Sequence, residues 1–420
     1  MIFKYLRNIA IIGLIFLMSM YTSSSIINEP VYLNVLMPAP FAESTSNLVN
    51  QFNIKEEGRI HINVTKGPKE TEAVSDLAIS SLLLGNSPFD ILLMDVTWLP
   101  KYAEAGWLEP LDHWINSNDW SAIADGARVG NEYNGQIYRW PLTADMGLLY
   151  WRKDLMEQAP KTPEELINIS LKLKRDGRVL YGYVWQGRQY EGLSCVFLEV
   201  LNGFGGEWLN NSQKVKLGGV EAIDAAKWLN NLIISGASPK SVTNFFENEA
   251  LQAFESGEAA LMRNWPYAWA ELQKDNSAVK GKVGITTMIS NNDKEPSSTL
   301  GSWGLSILKG SKNKNEAYKF INYITTKAAQ KELFLESGYT PTIAKLYKDE
   351  ELLKNSPILN QLEKALALTK SRPQTPLYAQ ISDVLQKQLS AILTDNMAPN
   401  LAMDLAQEKT ERIISSTSKR

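Results

Sequence analysis

Any two of four carboxylates, Glu43, Asp95, Asp145 and Glu191, could face each other in the fold. Glu43 closes Pro40-Phe41-Ala42-Glu43, and Asp95 directly follows Phe89–Met94. Asp145 lies just past the run ending at Leu142, and Glu191 sits in Gln186-Gly187-Arg188-Gln189-Tyr190-Glu191-Gly192. Two carboxylates facing each other across a glycosidic bond can hydrolyse it. Carboxylates also hold sugars without reaction, by accepting hydrogen bonds from pairs of hydroxyls. Little else in the chain could do chemistry. Gly301-Ser302-Trp303-Gly304 has the wrong spacing for a nucleophile elbow, and there is neither a phosphate loop nor a zinc-protease helix motif. The two histidines, His61 and His113, read as packing or surface residues, and Cys195 is the one cysteine. A disulfide within the chain is excluded, and a zinc or iron–sulfur site lacks ligands. Twelve tryptophans and sixteen tyrosines supply flat rings instead. Carboxylates and tryptophans without a metal or nucleophile motif fit holding a sugar better than cutting one.

Strand and helix patterns alternate along the segments that carry these residues. Val31–Met37 alternates apolar and polar residues and stops at Pro38; Arg59–Thr65 alternates again. Phe89–Met94 is a continuous apolar run, as a strand buried on both faces should be. Helical spacing lies between them, over Thr45–Phe52 and Glu72–Leu84. Strand–helix–strand–helix–strand predicts an α/β layer with a parallel sheet. Further along, helices are expected to start at Leu111–Ile115 and Lys153–Gln158, with a strand over Ile137–Leu142 between them. Thr162-Pro163-Glu164-Glu165 is a helix start with Thr162 as N-cap and Glu165 three places on. Helices are expected over Val220–Ile234, Asn248–Ser256 and Asn315–Tyr323, with strands over Val283–Met288, returning to the first unit, and Gly304–Leu308. Gly203-Phe204-Gly205-Gly206 is a turn; Trp208 takes the last glycine place of a dinucleotide loop. The C-terminal part is helical, broken by Arg372-Pro373-Gln374-Thr375-Pro376.

The 420 residues are too many for one core, and 44% hydrophobic with 21% charged residues is an ordinary globular composition. A net charge of −3, with both signs mixed along the chain, argues against nucleic acid as partner. Lys4 and Arg7 precede an apolar run, Ile9–Met18, and then Thr22-Ser23-Ser24-Ser25. This is the layout of a secretory signal peptide, and the run is short for a membrane span. We assign 1–28 to it; an uncleaved anchor is the alternative. A protein outside the cytoplasm is expected, with Cys195 a buried, inert thiol.

Several longer motifs carry a resemblance. They are Phe89-Asp90-Ile91-Leu92-Leu93-Met94-Asp95 with Ala105-Gly106-Trp107-Leu108-Glu109-Pro110-Leu111, Tyr133–Leu142 with Leu148–Asp154, and Phe254–Met262. Arg263-Asn264-Trp265-Pro266-Tyr267, Gly301–Leu305 and Arg372–Tyr378 follow. Together and in this order they resemble the extracellular solute-binding proteins of ABC sugar importers, in the maltose/trehalose-binding branch, from about Val31 to the end. The resemblance implies an α/β Venus-flytrap: two lobes of parallel-rich sheets flanked by helices, with a hinge between them. The expected N-terminal lobe is 29–140 plus 286–338, and the C-terminal lobe 141–285 plus 339–420.

Ligand would lie between the lobes, at the carboxyl ends of strands. Asp95, Asp145 and Glu43 would accept hydrogen bonds from it, with Ser44 the alternative to Glu43 and a cap or turn role the alternative for both aspartates. Trp265 and Trp303 would stack on pyranose faces, unless they are core. Arg372 would donate to hydroxyls, unless it forms a structural salt bridge. Gly301, Tyr267, Tyr339 and Tyr378 are lesser candidates, and Glu191 is either a second-lobe contact or an anchor. Ser302 stands where the resemblance would have glycine. The implied role is capture, without chemistry or cofactor, of a small neutral sugar: trehalose, maltose, sucrose or glucosylglycerol. The periplasmic monomer would deliver it to permease subunits with their ATPase. The rivals are a glycerol-3-phosphate-type phosphopolyol as ligand, a secreted glycoside hydrolase, and a sensor subunit.

Overall fold

The computed structural model describes residues 29–417 apart from Lys69 and Asn211, so the expected signal peptide lies outside the described residues. The chain builds two main sheets. In the first, β1 (Val31–Pro38) lies between β2 (Ile60–Gly67) and β3 (Ile91–Asp95), parallel to both. A two-residue hairpin, β4 (Glu132–Tyr133) and β5 (Gln136–Ile137), precedes β6 (Trp140–Met146). The second sheet holds β7 (Leu148–Arg152), β8 (Tyr181–Val184), β9 (Ala259–Asn264) and β10 (Val283–Thr286), in the order β10-β7-β9-β8. The ten-residue β11 (Ser298–Ile307) returns to the first sheet, antiparallel to β3 and β6, and its start pairs with β12 (Thr369–Lys370).

The first sheet is covered on both faces, which is why β3 reads as unbroken apolar sequence: all five of its residues are buried. On one face Leu36, Leu92 and Met94 pack with Val74 of the helix Thr71–Leu83 and with Tyr102. On the other, Leu33, Val35 and Leu93 join a core with Phe52 and Phe320 from the helices Ser46–Lys55 and Lys314–Ile324. The second core lies among the helices Glu191–Gly203, Val220–Ile234, Tyr378–Leu393 and Pro399–Thr417, around the fully buried Trp185 and Trp208. Each large side chain so buried contributes about 2 kcal/mol.

The Thr162 capping box forms as its sequence reads: Thr162 accepts from the Glu165 amide, and Glu165 accepts from the Thr162 amide. Two expected helices do not form. At Leu111–Ile115 the chain makes successive tight turns, Leu111 to Trp114 and Asp112 to Ile115, before Asn116 caps the short helix Ser117–Ser121. At Lys153–Gln158 a turn closes on the Arg152 carbonyl, and the Arg152 guanidinium grips Asp154 from two residues away. Nor does Val283–Met288 return to the first unit. Its strand pairs with the free edge of β7, so the return comes at 287–297, after β10. The helix Leu359–Ala367, expected in the C-terminal lobe, packs against β6 and β11 of the first sheet and the short helix Asp125–Arg128, and also against β10 of the second sheet.

Candidate ligand-binding site

The chain crosses between the sheets at Gly147, at 287–297 and again after β12, and a cleft of about 760 Å³ opens beside these crossings. Of the candidates above, Glu43, Asp95, Asp145, Glu191, Trp265, Tyr267, Gly301, Trp303, Tyr339 and Arg372 line it, with Ser44; Tyr378 does not, and instead donates its hydroxyl to Glu191 behind the wall. Their partners differ, and so does what each can do.

Asp95 ends β3 and is 4% exposed. Its Oδ1 accepts from the Thr97 amide at 2.9 Å and the Thr97 hydroxyl at 2.7 Å, while Arg372 Nη2 lies 3.0 Å from both carboxylate oxygens. Of the two readings of Arg372, its contacts match the structural salt bridge: its Nη groups are taken up by carboxylates rather than offered to the cleft. Nη1 binds Glu191 Oε1 at 2.8 Å, and Nε alone has no partner. Burial works against this cation, but Asp95, foremost among its neighbours, holds its pKa well above the ordinary value. Glu191 is the matching anchor. Its oxygens also accept from Tyr378, from Ser382 at 2.8 Å and from Gln386 at 3.4 Å. Arg372 thereby joins a carboxylate of the first sheet to one on a helix of the second core. Glu72, on the first-sheet side, reaches the same helix, its Oε1 accepting the Glu191 amide at 3.1 Å.

Asp145, near the end of β6, is 6% exposed, and its Oδ1 accepts the Thr340 amide at 3.1 Å. Burial pushes its carboxyl up to about 6, against the hydrogen bonds that favour the anion. Glu43 is exposed on the helix Ala39–Ser44 and pairs with Lys66; Ser44 lines the cleft beside it.

The rings form two groups. Trp303 meets Phe41 at 5.2 Å and Trp98 at 5.6 Å between ring centroids, and Phe41 stacks on Tyr339 at 4.5 Å. Trp265 follows β9, and its Nε1 donates to Glu247 Oε1 at 3.2 Å. It lies directly over Gly301 of β11, where a Cβ would come within 2.7 Å of Trp265 Cζ3, so a side chain at 301 would push the ring away. Tyr267, two residues on, is half-buried. Strand alternation decides the question of Ser302. Gly301 and Trp303 face the cleft while Ser302 points the other way, donating to the Thr143 carbonyl at 2.9 Å and accepting from Arg139 at 3.1 Å.

Cleft residues that the sequence did not single out include Phe246 and Glu247 at the start of the helix Glu247–Glu255, and Glu336 near the end of Lys327–Ser337. A neighbouring ring was the only signal for them. His61 and His113 are exposed and not among the cleft residues, while Cys195 is buried in its wall with its thiol pKa pushed up by that burial. Among the described residues no cluster of histidine, cysteine or carboxylate side chains could hold a metal, and no helix is long and apolar enough to cross a membrane.

Two sheets, three crossings and a cleft between them can be compared with known proteins. The profile of the bacterial extracellular solute-binding proteins matches residues 39–331. The chain belongs to this family. A probable ABC transporter-binding protein of Deinococcus radiodurans is 32% identical over 365 residues, covering 84% of this chain and 86% of its own. A maltotriose-binding protein of Pyrococcus abyssi is 26% identical, covering 74% and 67%. Maltose-bound T. maritima MalE3 superimposes with a TM-score of 0.84 at 32% identity, covering 90% of this chain and 99% of that one. The solute-binding protein thus has the two-lobe fold and is a sugar-binding component of ABC transport in the maltose-like branch, not an enzyme.

Proposed function

We propose that the solute-binding protein captures a neutral α-glucoside disaccharide in the cleft, with trehalose, maltose and sucrose as the leading candidates and glucosylglycerol as the smaller alternative. The observation that carries this reading is the meeting, in one cavity of about 760 Å³, of Trp265 from the second sheet with Trp303 and Asp145 from the first. Such a volume suits a ligand of this size. The tryptophans offer flat apolar faces to the C–H sides of two sugar rings. Asp145, with one oxygen held by Thr340, offers the other to hydroxyls. Arg372 acts mainly through Asp95 and Glu191, which it holds at the wall, and Glu43, Tyr267, Gly301 and Tyr339 complete the contact surface.

A phosphopolyol fits less well. The cleft is lined by carboxylates, and both Nη groups of its one guanidinium are engaged. The first lobe would comprise 29–146 and 298–370, and the second 148–286 and 371–417, with 287–297 as a crossing. Secreted to the periplasm, the monomer would deliver its sugar to permease subunits driven by an ATPase.

A thermal-shift panel tests the substrate. A sugar at 100 times its dissociation constant adds about 2.7 kcal/mol, a rise of a few degrees. A shift with one α-glucoside supports the reading. A shift with glycerol-3-phosphate alone, or with no saccharide, overturns it.

A further inference from the structure

Behind the Trp265 ring lies a buried ion pair to which no role has been given above. Arg263, in β9, and Glu199, in the helix Glu191–Gly203, are both fully buried. Arg263 Nε lies 3.0 Å from Glu199 Oε2, Nη2 binds Oε1, and Nη1 lies 3.3 Å from Gln186 Oε1. Burial alone would weaken this cation, but the Glu199 charge and its hydrogen bonds outweigh it and hold the group protonated. A pair so costly to desolvate contributes little net stability, and a hydrophobic pair would often serve the core as well. Its position accounts for it better. The guanidinium carbon lies 3.9 Å from the centroid of the Trp265 ring, so the cation backs the ring. Glu199 Oε1 also accepts the Thr299 amide at 3.4 Å, where β11 begins. At the first crossing, a Cβ on Gly147 would fall 1.8 Å from Glu199 Oε1 and 2.6 Å from Arg263 Nη2. One ion pair therefore touches the back of a cleft ring and the strands of two crossings between the sheets.

We propose that Glu199 and Arg263 are a positioning pair: they fix the Trp265 ring for the sugar and tie it to the crossing strands, so that seating of the ring and lobe closure occur together. The proposal rests on the reading that Trp265 faces the ligand. Neither residue lines the cleft, so both act through Trp265 and the hinge.

The test uses the protein labelled with 5-fluorotryptophan, with the Trp265 resonance assigned by Trp265→Phe. In ligand-free Arg263→Lys and Glu199→Gln the Trp265 resonance should shift and broaden, while those of the core residues Trp185 and Trp208 stay in place. Gly147→Ala, which presses on the pair from the hinge, should move the same resonance. Should a single change prevent folding, Glu199→Leu with Arg263→Met removes both charges together and reads the same signal. In binding titrations with maltose, Arg263→Lys should weaken affinity about tenfold in the wild-type background and much less in Trp265→Ala, because the effect travels through the ring. If the melting temperature falls but the Trp265 resonance does not move, the pair is only a core staple and the proposal is overturned. If wild-type protein fails to bind maltose, the maltose reading is lost, and the fluorine spectra still decide the role of the pair.

Discussion

Inside the cleft, Asp145 has almost no contact with water, and its pKa of about 6 lies well above the 3.8 of a free aspartate. The folded form therefore binds the proton more tightly than the unfolded form. The stability gained from that proton is fully present below the unfolded pKa and is lost as pH rises through about 6. At pH 7.5 the ligand-free protein carries a buried anion at a cost of about 3 kcal/mol. Asp145→Asn, whose Oδ1 can still accept from Thr340, should raise the melting temperature at pH 7.5 by several degrees and change it little near pH 4. The same substitution should weaken sugar binding at least tenfold, and wild-type affinity should fall as pH drops through about 6. Calorimetric melting and titration across pH check both. A substitution that stabilises the fold while weakening binding marks a residue that serves the ligand. Trp303→Ala should weaken binding about thirtyfold, the loss of about 2 kcal/mol typical of a central aromatic contact, measured by the same titrations. That most of these residues line the cleft was legible, because carboxylates at strand ends and a tryptophan among glycines are local features. That the Nη groups of Arg372 turn to Asp95 and Glu191 was not legible, since those partners lie 277 and 181 residues away.

Among the elements, the helix Glu191–Gly203 reaches both halves, through Glu191 to Arg372 and Glu72 and through Glu199 to β11. Tyr190 at its N-cap offers no side-chain hydrogen bond, and Glu72 of the opposite sheet's helix accepts its first amide instead. Burial, and next the neighbouring Glu191 charge, push the Glu72 carboxyl up to about 7, so at neutral pH it accepts this amide without a full negative charge. Glu72→Ala should remove about 1 kcal/mol of cap energy from the arrangement described here, in which Glu72 reaches across to the Glu191 amide. Bound sugar should then leave roughly five times faster in stopped-flow displacement, with the melting temperature of the ligand-free protein less affected. Periodicity identified β1, β2, β3 and the helix after Thr162, where burial pattern and capping agree. It failed at Leu111–Ile115 and Lys153–Gln158, where a few apolar residues at helical spacing are held by turns and by the Arg152–Asp154 pair instead. Glu72 carried no signal, because an exposed carboxylate in the first turn of a helix reads as dipole complement whatever lies opposite.

At the scale of the whole molecule, two sheets joined by short crossings are built to move as bodies about them. Small-angle scattering should show a smaller radius of gyration with saturating sugar than without, and Gly147→Ala should blunt that change by crowding Glu199. Two lobes were readable from strand–helix alternation together with ordered motifs. The packing of Leu359–Ala367 on β6 and β11 of the first sheet as well as on β10 was not, because helical sequence does not state which sheet it covers. On this reading the protein holds a neutral α-glucoside in the cleft between its sheets. Isothermal titration of residues 29–420 with trehalose, maltose and sucrose, repeated with Trp303→Ala, tests it most directly. We predict saturable one-to-one binding of at least one of these sugars that is lost or strongly weakened in the variant. Absence of binding to all three, or binding indifferent to Trp303→Ala, would contradict it.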